Sequence, residues 1–145
     1  EWLIDNKDAF REKTEELFKK IHEANGFIIH AHPMFGGELR LFPYSVDAVE
    51  TINGGANDSC NRNAKTYANM YSLTETGGID LHRYDQEIMS GIETENPCNT
   101  VEALICEIKE RRAKPFSITR KITDYWQEKQ LEASELRKQS MASKS

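Results

Sequence analysis

Two short clusters carry most of the metal-binding or acid–base potential of this chain: His30-Ala31-His32-Pro33 and Asp80-Leu81-His82. In an extended segment, residues i and i+2 point to the same face. His30 and His32 can therefore reach one point, and so can Asp80 and His82. Neutral imidazole and carboxylate are the usual ligands of Zn, Mn or Fe at a hydrolytic site. There the carboxylate offsets cation charge, and a bound water becomes a nucleophile near neutral pH. Taken singly, an H-x-H is more often incidental than a ligand pair, and a D-x-H is often only a turn with a histidine beside it. Arg83, directly after His82, is placed to pair with a substrate phosphate, although surface arginines are common.

The elements around these clusters give them weight. Phe10, Leu17, Phe18, Ile21 and Ala24 recur at three- and four-residue steps, which predicts a helix over Asn6–Ala24 that stops at Asn25-Gly26. Phe27–Ala31 is a short apolar run between Gly26 and Pro33, as expected of a buried strand. Met34–Pro43, with Gly36-Gly37, reads as a loop. Val46–Ile52 is a second strand candidate closed by Asn53-Gly54-Gly55. Asn57–Met70 reads as a helix, Leu73–Ile79 as a third strand and Arg83–Asn96 as a loop. Thr100–Arg112 is an amphipathic helix with Asn99 or Thr100 available as N-cap. After Pro115 the character changes. Thr119–Gln139 is strongly charged and predicts a surface helix, and Ser140–Ser145 is expected to be disordered. The division is therefore an α/β domain over 1–117 and a charged helical tail over 118–145. Strands alternating with helices at this spacing imply a parallel sheet, and sites in such folds lie at the carboxyl ends of the strands. Both polar clusters fall there.

Bulk properties narrow the classes. The chain has 145 residues, 38% hydrophobic and 30% charged, about the size of one domain. A net charge of −5 argues against a broad basic surface for phosphate backbones. It leaves room for a small phosphorylated substrate, because a bound cation supplies local positive charge. Cys60, Cys98 and Cys106 are odd in number and form no C-x-x-C, so a reduced, cytoplasmic setting is expected. No apolar run reaches membrane-span length. The chain starts at Glu1-Trp2 without methionine, which leaves a processed product, a partial sequence or an excised piece open.

The order of motifs resembles the C-terminal part of the PHP (polymerase and histidinol phosphatase) family of metal-dependent phosphoesterases. In that family a helix leads through a glycine into a strand ending in A-H-P, here Gly26-Phe27-Ile28-Ile29-His30-Ala31-His32-Pro33. A strand of the form D-A-I-E-x-x-N follows, here Asp47-Ala48-Val49-Glu50-Thr51-Ile52-Asn53. Next comes a helix with N-x-x-A-x-x-x-A, here Asn61 or Asn63 with Ala64 and Ala68. A G-S-D-A-H strand end corresponds to Gly78-Ile79-Asp80-Leu81-His82, and the closing helix with Pro115-Phe116 also fits. The resemblance spans roughly residues 6–117. It implies the C-terminal portion of a distorted (β/α)7 barrel, with His32, Asp80 and His82 as metal ligands for Mn, Fe or Zn. Position 30 is usually apolar in the family, so His30 is either a residue of the pocket wall or behind the ligands, beside the substrate, or a satisfied core histidine; the chemistry implied is attack of a metal-bound hydroxide on a phosphate ester. Ile79 and Leu81 depart from the family's small residues, and its N-terminal H-x-H has no counterpart here. Three ligands hold one ion rather than a full cluster, so the chain alone is expected to be inactive. The missing part of a parent protein or a second copy would complete the site. The alternative expectation is a non-catalytic PHP-like scaffold or partner-binding module. A small phosphorylated molecule is favoured over nucleic acid as substrate, and no membrane partner is expected.

Overall fold

Val49 and Ala48 sit side by side on one strand, both with no exposed surface, and belong to two different apolar clusters. Neighbouring strand residues point to opposite faces, so this strand is covered on both sides, as parallel sheets require. The computed structural model describes residues 7–35, 41–82 and 90–118, together with 131, 134 and 135. Its elements are α1 (Lys7–Glu23), β1 (Ile29–His30), β2 (Ala48–Asn53), α2 (Asp58–Tyr71), β3 (Thr74–Gly78), β4 (Ser90–Thr94), α3 (Val101–Lys109) and β5 (Ala113–Ser117). Strands β1, β2 and β3 form a parallel sheet in that order, with β2 central. Strands β4 and β5 form an antiparallel pair. Among the described residues these strands form an open α/β arrangement.

One cluster gathers Val49, Tyr67, Ala68 and Leu73 with Ile28, Phe42 and Val46, and Phe18 and Ile21 of α1 pack onto it. The other joins Ala48 to Ile108 of α3 and Ala113 of β5, with Phe27, Ile92 and Leu104 alongside. The helix boundaries follow from local chemistry. Helix α1 carries the i,i+4 pairs Arg11–Glu15, Glu16–Lys20 and Lys19–Glu23 on its exposed face. It ends where Asn25 turns left-handed (φ 58°) and the Gly26 N–H returns to the Ile21 carbonyl at 2.8 Å. Asn57 caps α2 by accepting from the Cys60 N–H at 2.9 Å, and Thr100 caps α3 by accepting from Ala103 at 3.2 Å.

Two differences from the expected elements have physical causes. Strand β1 is two residues long, although the apolar run is longer. Upstream of it the Asp47 carboxylate takes the Ile28 N–H at 2.7 Å, and downstream His32 turns left-handed (φ 28°). Strand β4 lies within the segment expected to be a loop, and β5 contains Pro115. Neither alternates clearly in sequence; they pair with each other and lie against β3, where Gly77 gives the space. A Cβ there would run into the Gly91 carbonyl oxygen and come within 3.1 Å of Pro115 Cβ. His22 is hydrogen-bonded through Nε2 to Asp47 Oδ2 at 2.9 Å, which ties the end of α1 to the start of β2. The charged tail from 119 lies outside the described residues, apart from 131, 134 and 135. No helix among the described residues is long and apolar enough to cross a membrane.

Candidate metal centre at the carboxyl end of the parallel sheet

Two predicted ligands follow directly from the sheet. His32 lies two residues past the end of β1, and Asp80 lies two residues past the end of β3. Because β1 and β3 run parallel with β2 between them, both residues emerge at the same end. His32 Nε2 stands 3.8 Å from Asp80 Oδ1. His82 Nδ1 stands 3.7 Å from the same oxygen and 2.7 Å from the Asp80 carbonyl. The structure thus brings His32, Asp80 and His82 around a single carboxylate oxygen. Ligand atoms at roughly 2.0–2.1 Å from a tetrahedral ion lie about 3.3 Å apart, so His32 Nε2 and Asp80 Oδ1, at 3.8 Å, would have to close by a few tenths of an ångström. Among the described residues no three His, Cys, Asp or Glu side chains already converge on one point. The donor set of two imidazoles and one carboxylate nevertheless suits Zn, Mn or Fe. In neutral His82, Nδ1–H donating to the Asp80 carbonyl leaves the Nε2 lone pair available, the usual way a ligating imidazole is oriented.

Both His32 (φ 28°) and Asp80 (φ 55°) have left-handed backbones. For residues other than glycine this costs about 1–3 kcal/mol each and persists only where the surroundings hold it. At His32 the holding group is Glu50, whose Oε2 accepts the His32 backbone N–H at 2.7 Å. The same oxygen accepts Asn53 Nδ2 at 2.8 Å, and Asn53 Oδ1 accepts the Gly55 N–H at 2.7 Å. Those two bonds together admit only one orientation of the Asn53 amide. Asn61 closes the end of β2 by a reciprocal pair, its Oδ1 accepting from Asn53 N at 3.0 Å and its Nδ2 donating to Asn53 O at 3.1 Å. Glu50 is 9% exposed and Asn53 2%. Glu50 also borders a small cleft with His32, Phe35, Cys60 and Asn61.

A register shift makes the Glu50–Asn53 bond possible. Glu50 pairs with Thr76 but Ile52 with Gly77, so one extra residue bulges from β2. In a regular strand, residues three apart face opposite sides. The bulge shifts that alternation by one and turns Glu50 and Asn53 toward each other, the re-aiming that bulges provide near functional sites.

His30 does not join this group. Its ring lies among core aromatics, edge-on to Tyr67 at 6.2 Å between centroids and tilted to Phe42 at 6.4 Å. Burial holds its imidazole below the ordinary histidine pKa, and nearby His32 adds to that. Its Nδ1 is buried without a hydrogen-bond partner among the described residues. The i,i+2 rule fails for His30 and His32 because the chain leaves strand geometry at His32. Arg83 lies outside the described residues. Glu50, Asn53 and Asn61 carry the local architecture; Glu50 and Asn53 are signalled in sequence as polar residues on a strand that should be apolar, whereas Asn61, on α2, carries no such signal.

No family model, no curated protein and no solved structure matches this chain.

Proposed function

We propose that the α/β region forms the later part of a PHP-type (β/α)7 barrel and acts in metal-dependent hydrolysis of a phosphate ester. The observation that carries this reading is the meeting of His32 and Asp80, from the carboxyl ends of two parallel strands, within 3.8 Å. A bound Mn, Fe or Zn ion would supply a nucleophile from water and neutralise charge on the phosphoryl oxygens. His32, Asp80 and His82 would hold that ion. Asp80 contributes the charge that offsets the cation, and its carbonyl orients His82. A substrate group would lie near His32, with Arg83 as the candidate phosphate partner and His30 as the candidate pocket-wall residue. Net charge favours a small phosphorylated substrate over nucleic acid.

A second reading is a non-catalytic PHP-like scaffold or partner-binding module. Two observations favour it: among the described residues no group of three His, Cys, Asp or Glu is placed to hold a metal ion, and His32 Nε2 and Asp80 Oδ1 stand open at 3.8 Å. Equilibrium dialysis against Mn2+, Fe2+ and Zn2+, followed by metal analysis and by assay on p-nitrophenyl phosphate and its diester, separates the two. The hydrolase reading expects retained metal that is lost in Asp80→Ala and in His32→Ala. Failure to retain any of the three ions refutes it. Retention without turnover, even with added upstream sequence or partner chain, selects the scaffold.

A further inference from the structure

Glu50 is 9% exposed and pairs with no cation among the described residues. Its side chain is used asymmetrically. Among the described residues, both hydrogen bonds that it accepts fall on Oε2, one from the His32 backbone and one from the Asn53 amide. The other oxygen, Oε1, lies against Gly78, where a Cβ would collide with it and come within 3.6 Å of Glu50 Cδ. Asn53 in turn holds Gly55, and a Cβ on Gly55 would meet Asp80 Cβ at 3.3 Å and the Ile79 carbonyl at 3.4 Å. One continuous path thus runs from the His32 turn through Glu50 and Asn53 to the turn that backs Asp80.

We infer that Glu50, with Asn53, is the positioning residue of the candidate metal centre, fastening the two left-handed ligand turns in register, and that Gly78 is the glycine that makes room for it. This inference rests on the metal-centre reading for its consequence but not for its geometry. A carboxylate suits the task because one oxygen accepts two donors and a charge-assisted bond is stronger than a neutral one. Buried in a central strand, it also cannot move to find other partners. Gly78 extends the argument to a residue with no side chain. Alanine there leaves the chemistry of Glu50 untouched yet pushes Oε1 and, through the pinned carboxylate, loosens the His32 turn. Glutamine at position 50 keeps one oxygen able to accept both donors.

The test has two arms. In metal-free protein, amide hydrogen exchange should show the His32 and Gly55 N–H groups protected in wild type and in Glu50→Gln. In Glu50→Ala and in Gly78→Ala the His32 amide should exchange about tenfold faster or more, while Tyr67 and Ala68 in the core keep their protection. Unchanged His32 protection in both alanine variants overturns the inference; if Glu50→Ala fails to fold, Gly78→Ala and Glu50→Gln decide. In the second arm, Mn2+ affinity should fall about 10–100-fold in the alanine variants and stay near the wild-type value in Glu50→Gln. Lost protection with undiminished Mn2+ affinity also overturns it. A wild-type protein that takes up no metal ends the metal reading, and the exchange arm then decides on Glu50 by itself.

Discussion

Asn53→Asp should convert a stabilising contact into a pH-dependent liability. The substitution is isosteric and keeps an oxygen for the Gly55 N–H, but it removes the Nδ2 donor that meets Glu50 Oε2 at 2.8 Å. Two carboxyls so close, at positions 2% and 9% exposed, cannot both ionise cheaply. The proton they share lifts the folded-state pKa of the pair above its unfolded value near 4. A group raised in this way contributes its stability below the unfolded pKa and loses it as pH rises through the folded one. The variant should therefore lie nearest to wild type at about pH 4–5 and fall away towards pH 8. Asn53→Ala sets the scale without the charge. It removes one bond to a carboxylate, worth about 1.5–3 kcal/mol, and one to a backbone amide, worth about 0.5–1.5 kcal/mol. The expected loss is roughly 2–4 kcal/mol, or a fall in Tm of roughly 6–13 °C for a domain of this size. Thermal and urea melts followed by circular dichroism from pH 4.5 to 8 measure both. An Asn53→Asp variant whose stability tracks wild type across that range would mean that the two side chains do not touch and would refute the bulge-directed network.

Two further perturbations examine the frame around the site. Glu107, 4% exposed, accepts from Arg112 Nε at 2.9 Å and from Asn96 N and Nδ2 at 3.2 and 3.1 Å, and the Arg112 bond above all holds its carboxyl below the ordinary range. A depressed carboxyl stabilises above the unfolded pKa and loses that stability as pH falls through the folded one, so Glu107→Gln should flatten the acid limb of a stability profile; an unchanged limb would count against the pairing. Gly77→Ala, whose Cβ would run into the Gly91 carbonyl, should cost about 1–3 kcal/mol by forcing β4 off β3, and a melt within error of wild type would show that the two strands do not pack there.

What sequence could reveal divides along physical lines. The amphipathic helices and the parallel order were legible because burial repeats with a period, because Asn25-Gly26 readily takes the left-handed turn that ends a helix, and because Thr100 carries capping chemistry in its own side chain. The nearness of His32 and Asp80 was legible because strand ends of a parallel sheet face one way. The β4–β5 pair was not, since Ser90–Thr94 and Ala113–Ser117 owe their strand geometry to each other and to the space at Gly77. The bulge in β2 was hidden for a similar reason. Nothing in Ala48–Asn53 marks the extra residue, and only the register against β3 exposes it. The failure at His30 follows from one backbone angle at His32, which no periodicity encodes.

That angle links the architecture to the proposed chemistry. Stability alone would place an apolar side chain at position 50 of a central strand, since burying a carboxylate costs several kcal/mol unless every lone pair is well used. It would also leave both turns in ordinary backbone conformations, since left-handed geometry is uncommon even for histidine and aspartate, which adopt it more readily than most residues. The chain does neither, and the two departures are bonded to each other: the strained turn at His32 presents the very N–H that Glu50 accepts. Remove the turn and Glu50 loses a donor; remove Glu50 and the His32 N–H loses its acceptor, leaving the turn to the Phe35 N–H that the His32 carbonyl accepts at 3.0 Å. Such mutual dependence is hard to account for as packing, because an apolar strand end would fold as well without it. It is accounted for if the requirement is that His32 and Asp80 stand together at one end of the sheet, 3.8 Å apart, before anything binds between them.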